Sequence, residues 1–138
     1  MSLSIIRSPT VPSGAVQVFQ NDGAGAVYAA IAHTQWGDIP GKAQGNNCWF
    51  PYGGEEKCTN DFSWVVGSGF RLVRGLRFVP SDALPLGLQN DGAGPLWVAV
   101  AHTQWGDIPG KTDVQGNDCW FPYGGKEHCT NNFSWVVV

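Results

Sequence analysis

Charge is what this sequence has least of. Eight Lys and Arg stand against eleven Asp and Glu in 138 residues, a net of −3, and the cations form no stripe. That is not the electrostatic footprint of a nucleic-acid-binding protein, so no nucleic-acid partner is expected. No apolar run approaches the roughly 18 residues that would read as a transmembrane helix, and membrane insertion is not expected. No segment keeps a 3.6-residue apolar period, which argues against amphipathic helices. The signatures G-x-S-x-G, H-E-x-x-H, the P-loop and the dinucleotide fingerprint are all missing, so no catalytic residue and no cofactor is expected. The N-terminus, MSLSIIRSPTVPSG, lacks the apolar core of a secretory signal; the chain is expected either to be made without one or to be already processed.

What the sequence does have is glycine (19), tryptophan (7) and a repeat. Residues 20–66 and 89–137 say nearly the same thing, once a two-residue insertion at Asp113–Val114 is allowed for. There are 18 identities from Gln20 to Lys42 and 19 from Gln44 to Val66, which is 37 of 47 positions. A weaker likeness runs upstream, VPSGAV at 11–16 answering VPSDAL at 79–84. We therefore divide the chain into an N-terminal segment (1–10), repeat 1 (11–67), a connecting strand segment (68–78) and repeat 2 (79–138). A unit of roughly 60–70 residues is marginal alone, so the halves are expected to share a core.

The local pattern is that of strands. Val27–His33 and Leu96–His102 alternate with period two, with Val27, Ala29 and Ile31 (Leu96, Val98 and Val100 in the copy) as the core face. The other face, one aromatic and two alanines, is expected to be a shallow, flat surface. Phe62–Val66, Phe133–Val137 and the stretch 70–79, interrupted at Gly75, also read as strands. NDGAG, WGDIPGK and PYGG are turn clusters. The expected fold is all-β, two pseudo-symmetric antiparallel β-sheet repeats packed into one compact unit.

Cys48, Cys58, Cys119 and Cys129 fall one pair per repeat, at equal spacing around a Pro-Tyr-Gly-Gly turn. A disulfide within each repeat is the simplest reading and would favour an oxidising, extracellular destination. A four-thiol zinc site is the alternative, without a C-x-x-C pair to support it.

Identity between the repeats is densest in the loops. The shared charged loop residues are Asp22, Asp38 and Lys42, copied as Asp91, Asp107 and Lys111. A carboxylate accepts hydrogen bonds from vicinal hydroxyls and an ammonium donates up to three, which together match the edge of a sugar. Trp36 or Trp105 could cover the apolar face of the ring. The plainer alternative is that Asp22 and Asp91 cap Asn-Asp-Gly turns while Lys42 pairs with Asp38 on the surface. His33 and His102 read as structural, and His128, which has Lys57 as its counterpart, as incidental. Asp38 or Asp107 with Glu56 or Glu127 would be a weak glycosidase pair. Trp49, Trp64, Trp120 and Trp135 read as core.

The run VPSDALPLGLQNDGAGPLWVAVAHTQWGDIPGK followed by PYGGKEH resembles the DM-nine repeat, found in tandem in small lectins and in natterin-like proteins. The matching residues are the P-x-x-A stretch, the Gly before an Asp, the strand, G-D-x-P-G-K and P-Y-G-G-K-E-H, covering about residues 11 to 138. Ile31 and Val100 stand where the family often carries Arg, and the paired cysteines are particular to this chain. The resemblance implies an all-β tandem unit, a homodimer, and binding of mannose or mannose-containing glycans without catalysis. It puts the sugar-binding Asp and Lys on Asp22 and Lys42, and on Asp91 and Lys111, with Asp38 and Asp107 as the acids of the G-D-x-P-G-K turn. A protein-interaction module remains the alternative.

Overall fold

The computed structural model describes residues 2–75 and 77–138. The N-terminal segment contributes β1 (Ser4–Ile6), and repeat 1 contributes β2 (Gln17–Gln20), β3 (Gly25–Thr34), β4 (Gly37–Gln44), β5 (Asn47–Tyr52), β6 (Glu55–Thr59) and β7 (Phe62–Val66). The connecting segment contributes β8 (Arg71–Arg74), and repeat 2 contributes β9 (Gly87–Gln89), β10 (Gly94–Thr103), β11 (Gly106–Thr112), β12 (Cys119–Tyr123), β13 (Lys126–Thr130) and β14 (Phe133–Val137). Every pairing is antiparallel, and no helix occurs among the described residues. The all-β reading therefore holds. The segments outside the repeats take equivalent places, β1 along the edge of β7 and β8 along the edge of β14. Leu76, inside the stretch 70–79 read as strand, lies outside the described residues.

The two repeats share one continuous sheet, because the hairpins β3–β4 and β10–β11 each leave an edge that two strands divide. The start of β4 pairs with β9 of the other repeat (Gly37↔Gln89) and its end with β5 of its own (Lys42↔Trp49). Likewise β11 pairs with β2 (Gly106↔Gln20) and with β12 (Lys111↔Trp120). A closed antiparallel ring results, running β3-β2-β11-β12-β13-β6-β5-β4 and back to β3. Closure removes most of the open edges that a β protein must otherwise protect.

The core follows this exchange. Val18, Val27, Ala29 and Ile31 of repeat 1 pack with Val98, Val100 and Val136 of repeat 2 in one shared cluster. The opposite faces of β3 and β10 are not flat open surfaces, as their alanines suggested. Ala30 and Ala32 are fully buried with Ile39, Phe50 and Trp64, and Ala99 and Ala101 with Ile108, Phe121 and Trp135. Small residues there leave room for the indoles of Trp64 and Trp135, where burial contributes about 2–3 kcal/mol each. Trp64 Nε1–H donates to Ser8 O at 2.9 Å, whereas the Trp135 Nε1–H has no partner among the described residues, which offsets part of that gain.

The intra-repeat disulfides are not formed: all four cysteines are free. The β5–β6 register explains this. It sets Cys48 opposite Thr59 and Cys58 opposite Trp49. Opposed residues share a face of a sheet, and successive residues alternate between faces. Cys48 therefore points into the core while Cys58 stands exposed on the other side, and β12–β13 repeats the arrangement for Cys119 and Cys129. The expectation of an oxidising destination, which rested on those bridges, loses that support.

Candidate functional site

Two clefts of about 350 and 360 Å³ lie at equivalent places on the molecule, and each is built from both repeats. Cleft 1 takes Gln20, Asp22, Lys42 and Glu56 from repeat 1 and Tyr123 from repeat 2. Cleft 2 takes Gln89, Asp91, Lys111 and Glu127 from repeat 2 and Tyr52 from repeat 1. The exchange is made by the hairpins β5–β6 and β12–β13. Their tips are Gly53-Gly54 and Gly124-Gly125, all with φ between +62° and +84°. Two consecutive left-handed positions make the tight primed turn that glycine alone enters without strain. The tips clasp one another: Gly125 N–H donates to Glu56 Oε1 at 2.8 Å and Gly54 N–H to Glu127 Oε1 at 2.9 Å. Each tip thereby places its tyrosine over the other repeat's Asp and Lys.

Within cleft 1 the groups form a chain. Lys42 Nζ donates to Gln20 Oε1 at 2.8 Å and lies 3.5 Å from Glu56 Oε2. The same glutamine turns its amide N–H to Asp22, 3.2 Å from Oδ1. Asp22 also accepts from Ala24 N–H at 3.1 Å and from the Tyr123 hydroxyl. Cleft 2 repeats the chain through Lys111, Gln89, Asp91, Ala93 and Tyr52, with Tyr52 Oη 2.9 Å from Asp91 Oδ2 and Lys111 also donating to Pro51 O at 2.7 Å. The ammonium groups sit 5.1 and 5.4 Å from the centroids of the Tyr123 and Tyr52 rings, within cation–π range.

The electrostatics follow from these contacts. The Tyr123 and Ala24 hydrogen bonds hold the Asp22 carboxyl below its ordinary 3.8; for Asp91 the Gln89 amide contributes most, then Ala93 and Tyr52. Burial pushes Lys42 and Lys111 below their ordinary 10.5, opposed by Glu56 and Glu127. Lys42 and Lys111 are only 7% and 5% exposed, so each is a fixed donor set in the wall rather than a mobile surface cation. Lys42 does not pair with Asp38. The arrangement presents a carboxylate held ionised, a tethered ammonium and an aromatic ring around one opening in the surface.

The other sequence-selected residues lie elsewhere. Asp38 stands four residues before Lys42 on an extended strand, roughly 13 Å away. Its Oδ1 meets His33 Nδ1 at 2.9 Å, and His33 Nε2 meets the buried Ser63 hydroxyl at 2.8 Å. Asp107, His102 and Ser134 repeat this at the same distances. Glu56 and Glu127, tied to the lysines, are not brought to Asp38 and Asp107. Trp36 does not join Asp22 and Lys42; its ring stacks on Tyr52 at 4.8 Å, with Lys57 Nζ 5.0 Å from its centroid. Trp105 stacks on Tyr123 at 4.4 Å, and His128 takes the place of Lys57 against it. Both tryptophans therefore brace the cleft tyrosines from behind, and His128 has a defined place.

Sequence reasoning missed Gln20 and Gln89, Tyr52 and Tyr123, and the half-buried Trp49 and Trp120 that line the clefts. All six are identical between the repeats. Trp49 and Trp120 were assigned to the core with Trp64 and Trp135, but their register opposite Lys42 and Lys111 turns them toward the clefts.

Comparison with known proteins agrees with this architecture. No curated protein matches the chain. Among solved structures, the crystal structure of the nematode sperm cell motility protein MFP2B superposes with a TM-score of 0.68 at 16% identity, over 99% of this chain and 46% of that one. That likeness establishes the fold, and the chain spans about half the length of MFP2B. A family model described as the DM9 repeat matches residues 27–130, three quarters of the sequence, and with the duplicated clefts this places the chain in the DM9 repeat family.

Proposed function

We propose that the protein is a non-catalytic lectin that binds mannose-type sugars at two related clefts. The observation that carries the reading is the duplicated chain of lysine, glutamine, aspartate and tyrosine, assembled twice by exchange between the repeats. Vicinal hydroxyls fit a carboxylate that accepts and an ammonium that donates. The half-buried Trp49 and Trp120 rings that line the clefts suit the C–H face of a pyranose. Asp22 and Asp91 are exposed, so sugar must displace water that bonds almost as well, and one cleft alone binds weakly. Two clefts on one rigid body raise the affinity for branched glycans through effective concentration, and a homodimer would raise it further. The lysines supply positive charge beside the acids, so binding requires no calcium.

The test is calorimetric titration with mannose and with a mannose-rich oligosaccharide, with and without EDTA. Saturation near two sites per chain, unchanged by EDTA and abolished by Asp22→Ala with Asp91→Ala, is the expected result. Absence of heat with both sugars would remove mannose from the reading.

A second reading, a protein-interaction module, draws on Phe19 and Leu88. These stand at equivalent places on β2 and β9 and are 60% and 54% exposed. It predicts partner binding that survives Lys42→Ala with Lys111→Ala.

A further inference from the structure

The clefts exchange Val27 for Leu96, both apolar, and differ in polar chemistry at one rim position, which changes what each can hold. In cleft 1 that position is Gln44, the last residue of β4, whose amide N–H groups donate to Ala24 O at 2.7 Å and Ala26 O at 2.9 Å. The residue following β11 in cleft 2 is Asp113, because the two-residue insertion moves Gln115 out into the exposed loop. A carboxylate has no N–H, so Asp113 cannot donate to Ala93 O and Pro95 O as Gln44 does to their counterparts. The only hydrogen bond the Asp113 side chain makes among the described residues is from Gln115 N–H at 3.1 Å, which leaves most of its acceptor capacity open. The charge balance moves with it. Cleft 1 sets Asp22 and Glu56 against Lys42, whereas cleft 2 sets Asp91, Asp113 and Glu127 against Lys111.

Resting on the sugar-binding reading of the clefts, we propose that Asp113 is a specificity-determining residue that makes cleft 2 prefer a sugar carrying a protonated amine, while cleft 1 takes neutral sugars. An ammonium substituent supplies up to three N–H donors and a positive charge, which is what this rim lacks and a neutral hydroxyl provides only in part. A metal ion would satisfy the same acceptors, but no metal-ligand set of three His, Cys, Asp or Glu side chains is found among the described residues. The pair is solvent-accessible, so the gain is modest, about fivefold in affinity over the neutral sugar and smaller at high salt.

The experiment is titration of the native protein with mannose, mannosamine, N-acetylmannosamine and ethanolamine at about pH 6, where the free amines are protonated. One site per chain is expected to bind mannosamine about fivefold more tightly than mannose, with no gain for the N-acetyl sugar. Asp113→Asn should bring the mannosamine-to-mannose ratio at that site to about one. Gln44→Asp should create the same preference in cleft 1, a reciprocal readout that does not depend on how the Asp113 loop tolerates change. Equal affinity for mannose and mannosamine in the native protein, or a ratio unmoved by Asp113→Asn, overturns the assignment while leaving sugar binding intact. Ethanolamine binding as tightly as mannosamine also overturns it, since the amine alone would then be the ligand. Silence from all the sugars removes the sugar-binding reading and this assignment with it.

Discussion

The Tyr123 hydroxyl donates to Asp22 Oδ2 across 101 residues of sequence, and Tyr52 donates to Asp91 in return. Each cleft is therefore completed by the other half of the chain. Tyr123→Phe removes the largest influence holding the Asp22 carboxyl low and one wall contact of cleft 1. It should weaken binding at one of two sites about fivefold and let Asp22 titrate nearer its ordinary value. Tyr52→Phe should weaken cleft 2 in the same way but shift Asp91 less, since Gln89 and Ala93 hold that carboxyl low ahead of Tyr52. Site-resolved titration reads both, and equal weakening of both sites by either change would show that the clefts do not borrow across the repeats in this way.

This exchange marks where the sequence stopped being informative. The duplication, the strand alternation of Val27–His33 and the Pro-Tyr-Gly-Gly hairpin were all legible, and they give the right elements. The resemblance to the DM-nine repeat put Asp22 with Lys42, and the two do line one cleft, whereas spacing alone also grouped Asp38 with them. What sequence spacing cannot reveal is which repeat's hairpin closes which cleft, because Tyr52 and Tyr123 stand in identical motifs. The cysteine pairing failed for a related reason. Equal spacing around a turn says that two residues come near each other, but a single residue of register decides whether they share a face.

Acid and base should bracket binding. Asp22 and Asp91 titrate below 3.8 in the folded chain, so their stabilising contacts are complete above that value and lost as pH falls through the lower folded one. Lys42 and Lys111 titrate below 10.5, so burying them costs stability at neutral pH, and that cost is relieved as rising pH removes their protons. Sugar affinity, which needs both charges, should be flat around neutrality. It should persist below pH 3.8 on the acid side, and on the alkaline side fall before an ordinary lysine would titrate. Affinity followed by fluorescence across pH checks this, and an alkaline midpoint at or above 10.5 would contradict it.

Asp38 and Asp22 should behave differently although both sit in duplicated loops. Asp38 is half-exposed and bonded to His33, roughly 13 Å along the strand from Lys42. Asp38→Asn should therefore leave sugar binding unchanged and cost under about 1 kcal/mol of stability. His33→Ala removes the partner of the buried Ser63 hydroxyl and should cost about 2 kcal/mol in denaturant unfolding. Loss of sugar binding in Asp38→Asn would move the site from the cleft to the turn.

Thiol chemistry separates the cysteines. Cys48 and Cys119 are buried, and desolvation pushes both thiols far up, whereas Cys58 and Cys129 are exposed. A thiol reagent should titrate two groups per native chain and four after unfolding. Two thiols or none in the unfolded, unreduced chain would mean that bridges form and that the β5–β6 or β12–β13 register differs.

Each of the two seams between the repeats depends on a missing side chain. Gly37 opens β4 at φ +115°, where it pairs with Gln89 of the other repeat. A Cβ there would stand 2.0 Å from Leu88 O, a backbone atom that cannot swing aside. Gly106, its equivalent, would meet Phe19 O at 2.7 Å. Gly37→Ala must then push β9, which carries Gln89, away from β4. Added to the strain of a left-handed alanine, the overlap should cost about 3 kcal/mol. Gly106→Ala meets three backbone atoms at 2.7–2.8 Å but none as close as 2.0 Å, and should cost somewhat less. Urea unfolding of the two variants gives the order directly. Because β9 ends at Gln89, which links Lys111 to Asp91, Gly37→Ala should also weaken binding in cleft 2 more than in cleft 1. A variant as stable as the native chain would show that the repeats do not meet at this strand pair.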